Sequence, residues 1–260
     1  MSYIFTGFLV QVLFSIGVIL IFGTVIGLCN KKFYANIGAN GGAVCVITGL
    51  IGTPIHELSH AIFCIIFGHK INQIKLFSLG KDGTLGYVNH SYNPRNIYQR
   101  IGNFFIGVAP ILGISAVILL LAKLLLPELP YEILSLSENY TPENGIDGAL
   151  TGIIDSLKIF FSYIGNPKWW AFIGIGMLLS LHMTLSSADI KGAKDGLIAL
   201  LAILLTSDIA LGLTAPAFFE EFVAVFYTLG AFLFSFMTMS LLLSLIAVII
   251  SFIIKAVFIR

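Results

Sequence analysis

A chain of 260 residues that is 58% hydrophobic and only 10% charged, with a mean hydropathy of +0.99, cannot clothe itself in a polar surface, since a soluble domain carries about a quarter charged residues. A net charge of +1 excludes nucleic acid as a partner, because a polyanion needs a basic face. Cys29, Cys45 and Cys64 fall in apolar stretches without paired spacing, which excludes a disulfide framework and a thiolate zinc knuckle.

Several apolar runs exceed the roughly 18 to 20 residues that cross a hydrocarbon core. The expectation is an all-α polytopic integral membrane protein, a single domain over 1–260 with about six transmembrane helices. Residues 4–29 lack the basic start and the small-residue cleavage site of a signal peptide and read as a retained first span. Lys31 and Lys32 close it, and a second span over 41–68 holds the sequence HELSH. From 70 to 92 polar and apolar residues alternate around a Lys-Asp-Gly turn, which predicts a membrane-associated β-hairpin. A third span covers 101–126, and a polar extracytoplasmic loop over 127–166 contains an amphipathic helix near 146–163. Trp169 and Trp170 open a fourth span over 168–188 and suit a membrane interface. Residues 196–214 and 221–257 complete the six.

The hairpin region carries Lys70, Lys75, Lys81, Arg95 and Arg100 against Asp82, whereas Glu128, Glu132, Glu138, Glu143, Asp147 and Asp155 follow the third span. By the positive-inside rule the hairpin and both termini are expected to be cytoplasmic, with the Lys31, Lys32 pair on the wrong side. A bacterial cell membrane is the expected location; the oligomeric state stays open.

His56 and His60 are four residues apart, so a helix presents both imidazoles on one face, with Glu57 beside them to polarise a water. Ionisable groups in a span cost at least a few kcal/mol unless they find partners or a wet cavity, which favours a metal over two idle histidines. Catalytic zinc takes three protein ligands. Asp189 is the candidate on depth: at about 1.5 Å per residue, 19 residues from Gly41 to His60 and 21 from Lys168 to Asp189 reach nearly equal levels in parallel helices. The alternative for Asp189 is capping the helix end before Lys191 and Gly192, and Asp195, followed by Gly196, is a second ligand candidate. Pro54 and Pro110 are expected to kink their helices near the ion. His182, two turns before Asp189 on the assumed helix, is expected either to line a substrate path or to be a buried histidine bonded to a neighbouring helix, and His69 and His90 to be structural or surface residues.

HELSH, then FGHKINQIKLFSLGKDGTLGYV, GNFFIGVAPILG and LSSADIKGAKDG together resemble the site-2 protease family of intramembrane zinc metalloproteases, over roughly residues 41–195. The resemblance implies Zn²⁺ held by His56, His60 and Asp189, Glu57 as the catalytic base, and Asn103 as a substrate or oxyanion contact. It also implies a membrane-protein or peptide substrate, unwound and held against the hairpin edge by β-addition. The chain departs from the family where an Asp-Gly pair is usual, having Asp189, Ile190, Lys191 and Gly192, and it matches the minimal members that have no PDZ domain. Two rival classes are a membrane metal-ion transporter and a non-catalytic relative that binds membrane proteins. Glu220 and Glu221 suggest a prenyl-protease-like family, but Val225 stands where that family has arginine.

Overall fold

The computed structural model describes residues 1–80, 83–136 and 145–258, of residues 145–150 and 153 the backbone alone. Helix α1 (Ser2–Val12) passes through a π-helical turn at Leu13–Gly17 into α2 (Val18–Ile37). Gly38 ends this run at φ +66, a left-handed conformation that glycine adopts without steric cost, and a short 3₁₀ turn over Gly38–Asn40 reverses the chain into α3 (Gly41–Ile66). Gly68 closes α3 at φ +68, its amide bonding Ile65 O and that of His69 bonding Cys64 O, so the chain leaves the helix directly into β1 (Lys70–Lys75). Strand β1 pairs antiparallel with β2 (Tyr87–Ser91), with a register irregularity between Ile71 and Gln73. The hairpin expected over 70–92 therefore forms; Lys81 and Asp82 of its turn lie outside the described residues, as do Glu138, Glu143 and Arg260.

Asn96 accepts from the amides of Tyr98 and Gln99 and so starts α4 (Ile97–Leu125). After α5 (Leu129–Ser135) and α6 (Gly145–Ser162), Asn166 caps α7 (Pro167–Ser180) in the same way, with proline in its first turn. Ser186 caps α8 (Ser187–Thr214), and Pro216 opens α9, which runs to Phe258.

Pairwise contacts give the directions. His60 bonds Ile106 O and Phe67 lies against Gly102, so α3 runs antiparallel to α4. Gly107 faces Asp189 and Ala193, while Gly196 faces Arg100 and Phe104, so α8 is antiparallel to α4 as well. Gly176 of α7 packs on Leu243 of α9; below it, Met183 meets Ser115, which meets Ser240 of α9. Helices α7 and α8 thus form one broken passage in the direction of α3. Phe219 lies on Gly7, Phe234 on Phe22, and Ser251 bonds Asn36, so α9 runs parallel to α1 and α2.

Four helical segments are long and apolar enough to cross a membrane: Ser2–Ile66, Ile97–Leu125, Ser187–Thr214 and Pro216–Phe258. The first contains two helices folded at Gly38. Six alternating spans with both termini on one side do not follow from this arrangement, because the first and last helices point the same way. The miscount has a local cause: the expected fourth span over 168–188 stops at Ser180, and Ser186 starts a new helix with Asp189 in its first turn. Trp170 is exposed as a membrane-interface residue would be, but Trp169 is buried and donates to Phe160 O.

Helices α4 and α8 approach closely because glycines line the seam. A Cβ on Gly107 would lie 2.6 Å from Ala193 Cβ and 2.7 Å from Asp189 O, and one on Gly196 would lie 2.6 Å from Arg100 O. The Gly196→Ala substitution, pressing on backbone, is expected to destabilise the fold by about 1–3 kcal/mol. Gly174→Ala, with open space around it, is expected to be neutral or to stabilise by up to about 1 kcal/mol. Thermal unfolding of the two variants in detergent checks the contrast.

Candidate metal centre

Three side chains meet where α3, α4 and α8 converge. Ligand atoms of His56, His60 and Asp189 all lie within 4.8 Å of one another, and His60 Nε2 is 3.3 Å from Asp189 Oδ1. A tetrahedral zinc with bonds of about 2.0–2.2 Å places its ligand atoms roughly 3.3–3.6 Å apart, so small rotations bring the triad around one ion.

The hydrogen bonds behind the triad decide which nitrogens face inward. His56 Nδ1 donates to His182 O at 2.9 Å and His60 Nδ1 donates to Ile106 O at 2.7 Å. A carbonyl only accepts, so each Nδ1 carries the proton and each Nε2 offers a lone pair. Asp189 is aimed in the same manner: its Oδ2 accepts from the Ser186 amide at 2.7 Å, and its own amide donates to Ser186 Oγ at 3.1 Å. The capping box leaves Oδ1 toward His60. A bare imidazole nitrogen and a carboxylate oxygen 3.3 Å apart repel each other unless a proton or a cation lies between them. The donor set and its tautomers therefore fit a divalent zinc.

Asp189 is thus a member of both the triad and a capping box, but that box starts α8, whereas the expected cap was at a helix end before Lys191 and Gly192. The depth argument for it was wrong in its route: Asp189 is reached at the start of α8, not 21 residues into a helix begun at Lys168. Asp195, the rival, is taken up elsewhere. It accepts from Arg100 Nε at 3.1 Å and Nη2 at 2.7 Å, and from Tyr92 Oη at 3.5 Å, tying α8 to the start of α4. Pro54 and Pro110 both lie inside continuous helices.

A cavity of about 420 Å³ opens on the triad, lined by Glu57 from α3, Asn103 from α4, Gly192 from α8, and Thr84, Gly86, Tyr87, Val88 and His90 from the hairpin. Glu57 is 7% exposed, and the hairpin lies on it closely enough that a Cβ at Gly86 would come within 2.7 Å of Glu57 Cγ and 3.0 Å of Lys75 O. Strand β2 borders the cavity, rather than the strand that carries Lys75. Asn103 is 5% exposed, and its Nδ2 has no hydrogen-bond partner among the described residues.

His182 is not among the lining residues. Its ring stacks into the space left by Gly52 and is held by Thr48 Oγ1 at 2.9 Å and Thr53 Oγ1 at 3.5 Å; it acts on the site through its carbonyl, by orienting His56. The substrate-path expectation assumed a helix through residue 182 that Ser180 ends. Conversely His90, expected to be structural or at the surface, lines the cavity. Burial, then the neighbouring His69 and His60, hold its pKa below the ordinary histidine value. The carbonyls of His182 and Ile106 carry no sequence signal, since any residue could supply them; Ser186 was legible as a Ser-x-x-Asp box.

Residues 49–139 match the family described as "Putative zincin peptidase", a match that takes in HELSH, the hairpin and α4 and stops before Asp189. No curated protein and no solved structure matches the chain.

Asp189→Ala is expected to weaken zinc binding by more than the roughly 10- to 100-fold that loss of a merely orienting partner costs. Asp195→Ala should leave zinc affinity within a few-fold. Zinc titration of purified protein against a competing chelator reads both.

Proposed function

We propose that this chain is an intramembrane zinc metallopeptidase of the site-2 protease type, hydrolysing peptide bonds of transmembrane or membrane-associated proteins. One observation carries the reading: Glu57, the His56, His60 and Asp189 triad, and residues of strand β2 line one cavity within a bundle of apolar helices. The partial family match supports the peptidase chemistry, and the apolar helices support a site at membrane depth.

Zinc, when bound, supplies a Lewis acid that polarises a carbonyl and makes a water acidic. The protein supplies the rest. Glu57 takes the proton of the attacking water and returns it to the leaving amine. Its burial under Gly86 holds the carboxylate in one place. Asn103, with its amide otherwise unpartnered, donates to the oxygen of the attacked carbonyl. The outer edge of β2 has no sheet partner among the described residues, so its backbone receives an unwound segment of substrate in extended form. Substrate, bilayer and hairpin are thereby joined, with the hairpin on the cytoplasmic side as its cationic residues suggest.

A dye-labelled Leu/Ala-rich transmembrane peptide with a central Gly-Pro break, presented in detergent micelles, tests the reading. Glu57→Gln is expected to lower kcat by about 10²- to 10⁴-fold while zinc stays bound, and a chelator should abolish cleavage that added zinc restores. Zinc flux into proteoliposomes that survives Glu57→Gln, without cleavage by the native protein, would replace the peptidase with a transporter.

A further inference from the structure

Two histidines outside the triad form a chain that ends in the cavity. His69 follows α3, is 6% exposed, and lies parallel to the ring of Tyr92 with centroids 5.2 Å apart. His69 Nε2 is 2.8 Å from Gln99 O, and His69 Nδ1 is 3.0 Å from His90 Nδ1. Gln99 O can only accept, so the proton of neutral His69 is on Nε2 and its Nδ1 is bare. A bare Nδ1 at 3.0 Å requires a donor, so His90 carries its proton on Nδ1. That leaves His90 Nε2 as a lone pair with no protein partner among the described residues, on a ring that lines the cavity beside Glu57 and His60. Strand β2 places Val88 and His90 on one face, by its period of two, and both line that cavity.

We propose that His90 is a substrate-binding residue, its tautomer set from Gln99 through His69, whose Nε2 accepts a hydrogen bond from a backbone N–H of the peptide lying along β2. This rests on the peptidase reading and adds to it a contact that the metal triad does not make. An extended peptide presents N–H groups that need acceptors once removed from water. A half-buried neutral imidazole with its other nitrogen already bonded is such an acceptor. The alternative, that the two histidines merely pin the hairpin to the start of α4, predicts the opposite response to substitution.

Asparagine places a polar atom near the imidazole Nδ1 position and glutamine near Nε2, so the two variants separate the roles. His90→Asn should keep the bond to His69 and lose the cavity contact, lowering kcat/KM for the labelled peptide by roughly tenfold with zinc content unchanged. His90→Gln should lose the bond to His69 but retain an acceptor, and lower kcat/KM by less than about threefold. A reversed order, with His90→Asn as active as the native protein, overturns the proposal and leaves the peptidase reading intact; absence of cleavage by the zinc-loaded native protein overturns the peptidase reading instead. A readout that needs no turnover is the imidazole ¹⁵N spectrum of the Glu57→Gln protein. His90, identified by its disappearance in His90→Asn, should be an Nδ1–H tautomer, and its Nε2 resonance should move when the peptide is added. An Nε2–H tautomer, or a resonance indifferent to bound peptide, rejects the inference whatever the activity shows.

Discussion

Two successive residues of α4 hold the site together. The carbonyl of Ile106 receives the Nδ1 proton of His60, and Gly107, lacking a side chain, lets the first turn of α8 press against the same level of the helix. Helices α3 and α8 are neighbours there only because α4 passes between them antiparallel to both. Were residue 107 to carry even a methyl group, Asp189 O and Ala193 would have to retreat, and an ion demands ligand positions within a fraction of an ångström. The seam continues at Gly196, and the Arg100–Asp195 pair closes its end. Helix spacing, set by glycine, thereby sets the spacing of the three groups that could hold an ion.

A polar centre among apolar helices must satisfy its own hydrogen bonds, since apolar side chains offer none. The structure meets this with main-chain groups freed at helix breaks. His182 O is available to His56 because α7 ends at Ser180, and the Ser186 amide is available to Asp189 because a new helix begins there. The break that interrupts the fourth passage is therefore the same feature that orients two of the three groups that could hold a metal. Glycine at the end of α3 does related work for the hairpin: Gly68 turns the chain so that His69 and β1 fold back beside the site.

The hairpin is the other half of the site. It brings Gly86 onto Glu57 and aligns β2 with the cavity, while the His69–His90 bond and the Tyr92–Asp195 contact tie its base to α3, α4 and α8. A flexible polar loop could cover a metal centre, but it could not present a fixed row of backbone groups. Two strands anchored at both ends can.

Local patterns were legible in the residues themselves: long apolar runs as spanning helices, alternation over 70–92 as a hairpin, and His56 with His60 on one helical face. Each depends on short-range periodicity and so survives without knowledge of neighbours. Asp189 was found by a depth argument that assumed an unbroken helix, and the same assumption misplaced His182 and miscounted the spans. The residues Leu181 to Ser186 are apolar or neutral enough to pass for helix, and only the competition between continued helix and the bonds made by His182 O and Ser186 decides otherwise. His90 could not be read at all, because its meaning comes from a partner 21 residues away in sequence and a carbonyl on α4. The sequence by itself determined which segments are apolar and which residues could bind an ion; the direction of the passages, the tautomers and the shape of the cavity were decided by packing, since they depend on which backbone groups of distant helices come within hydrogen-bonding reach.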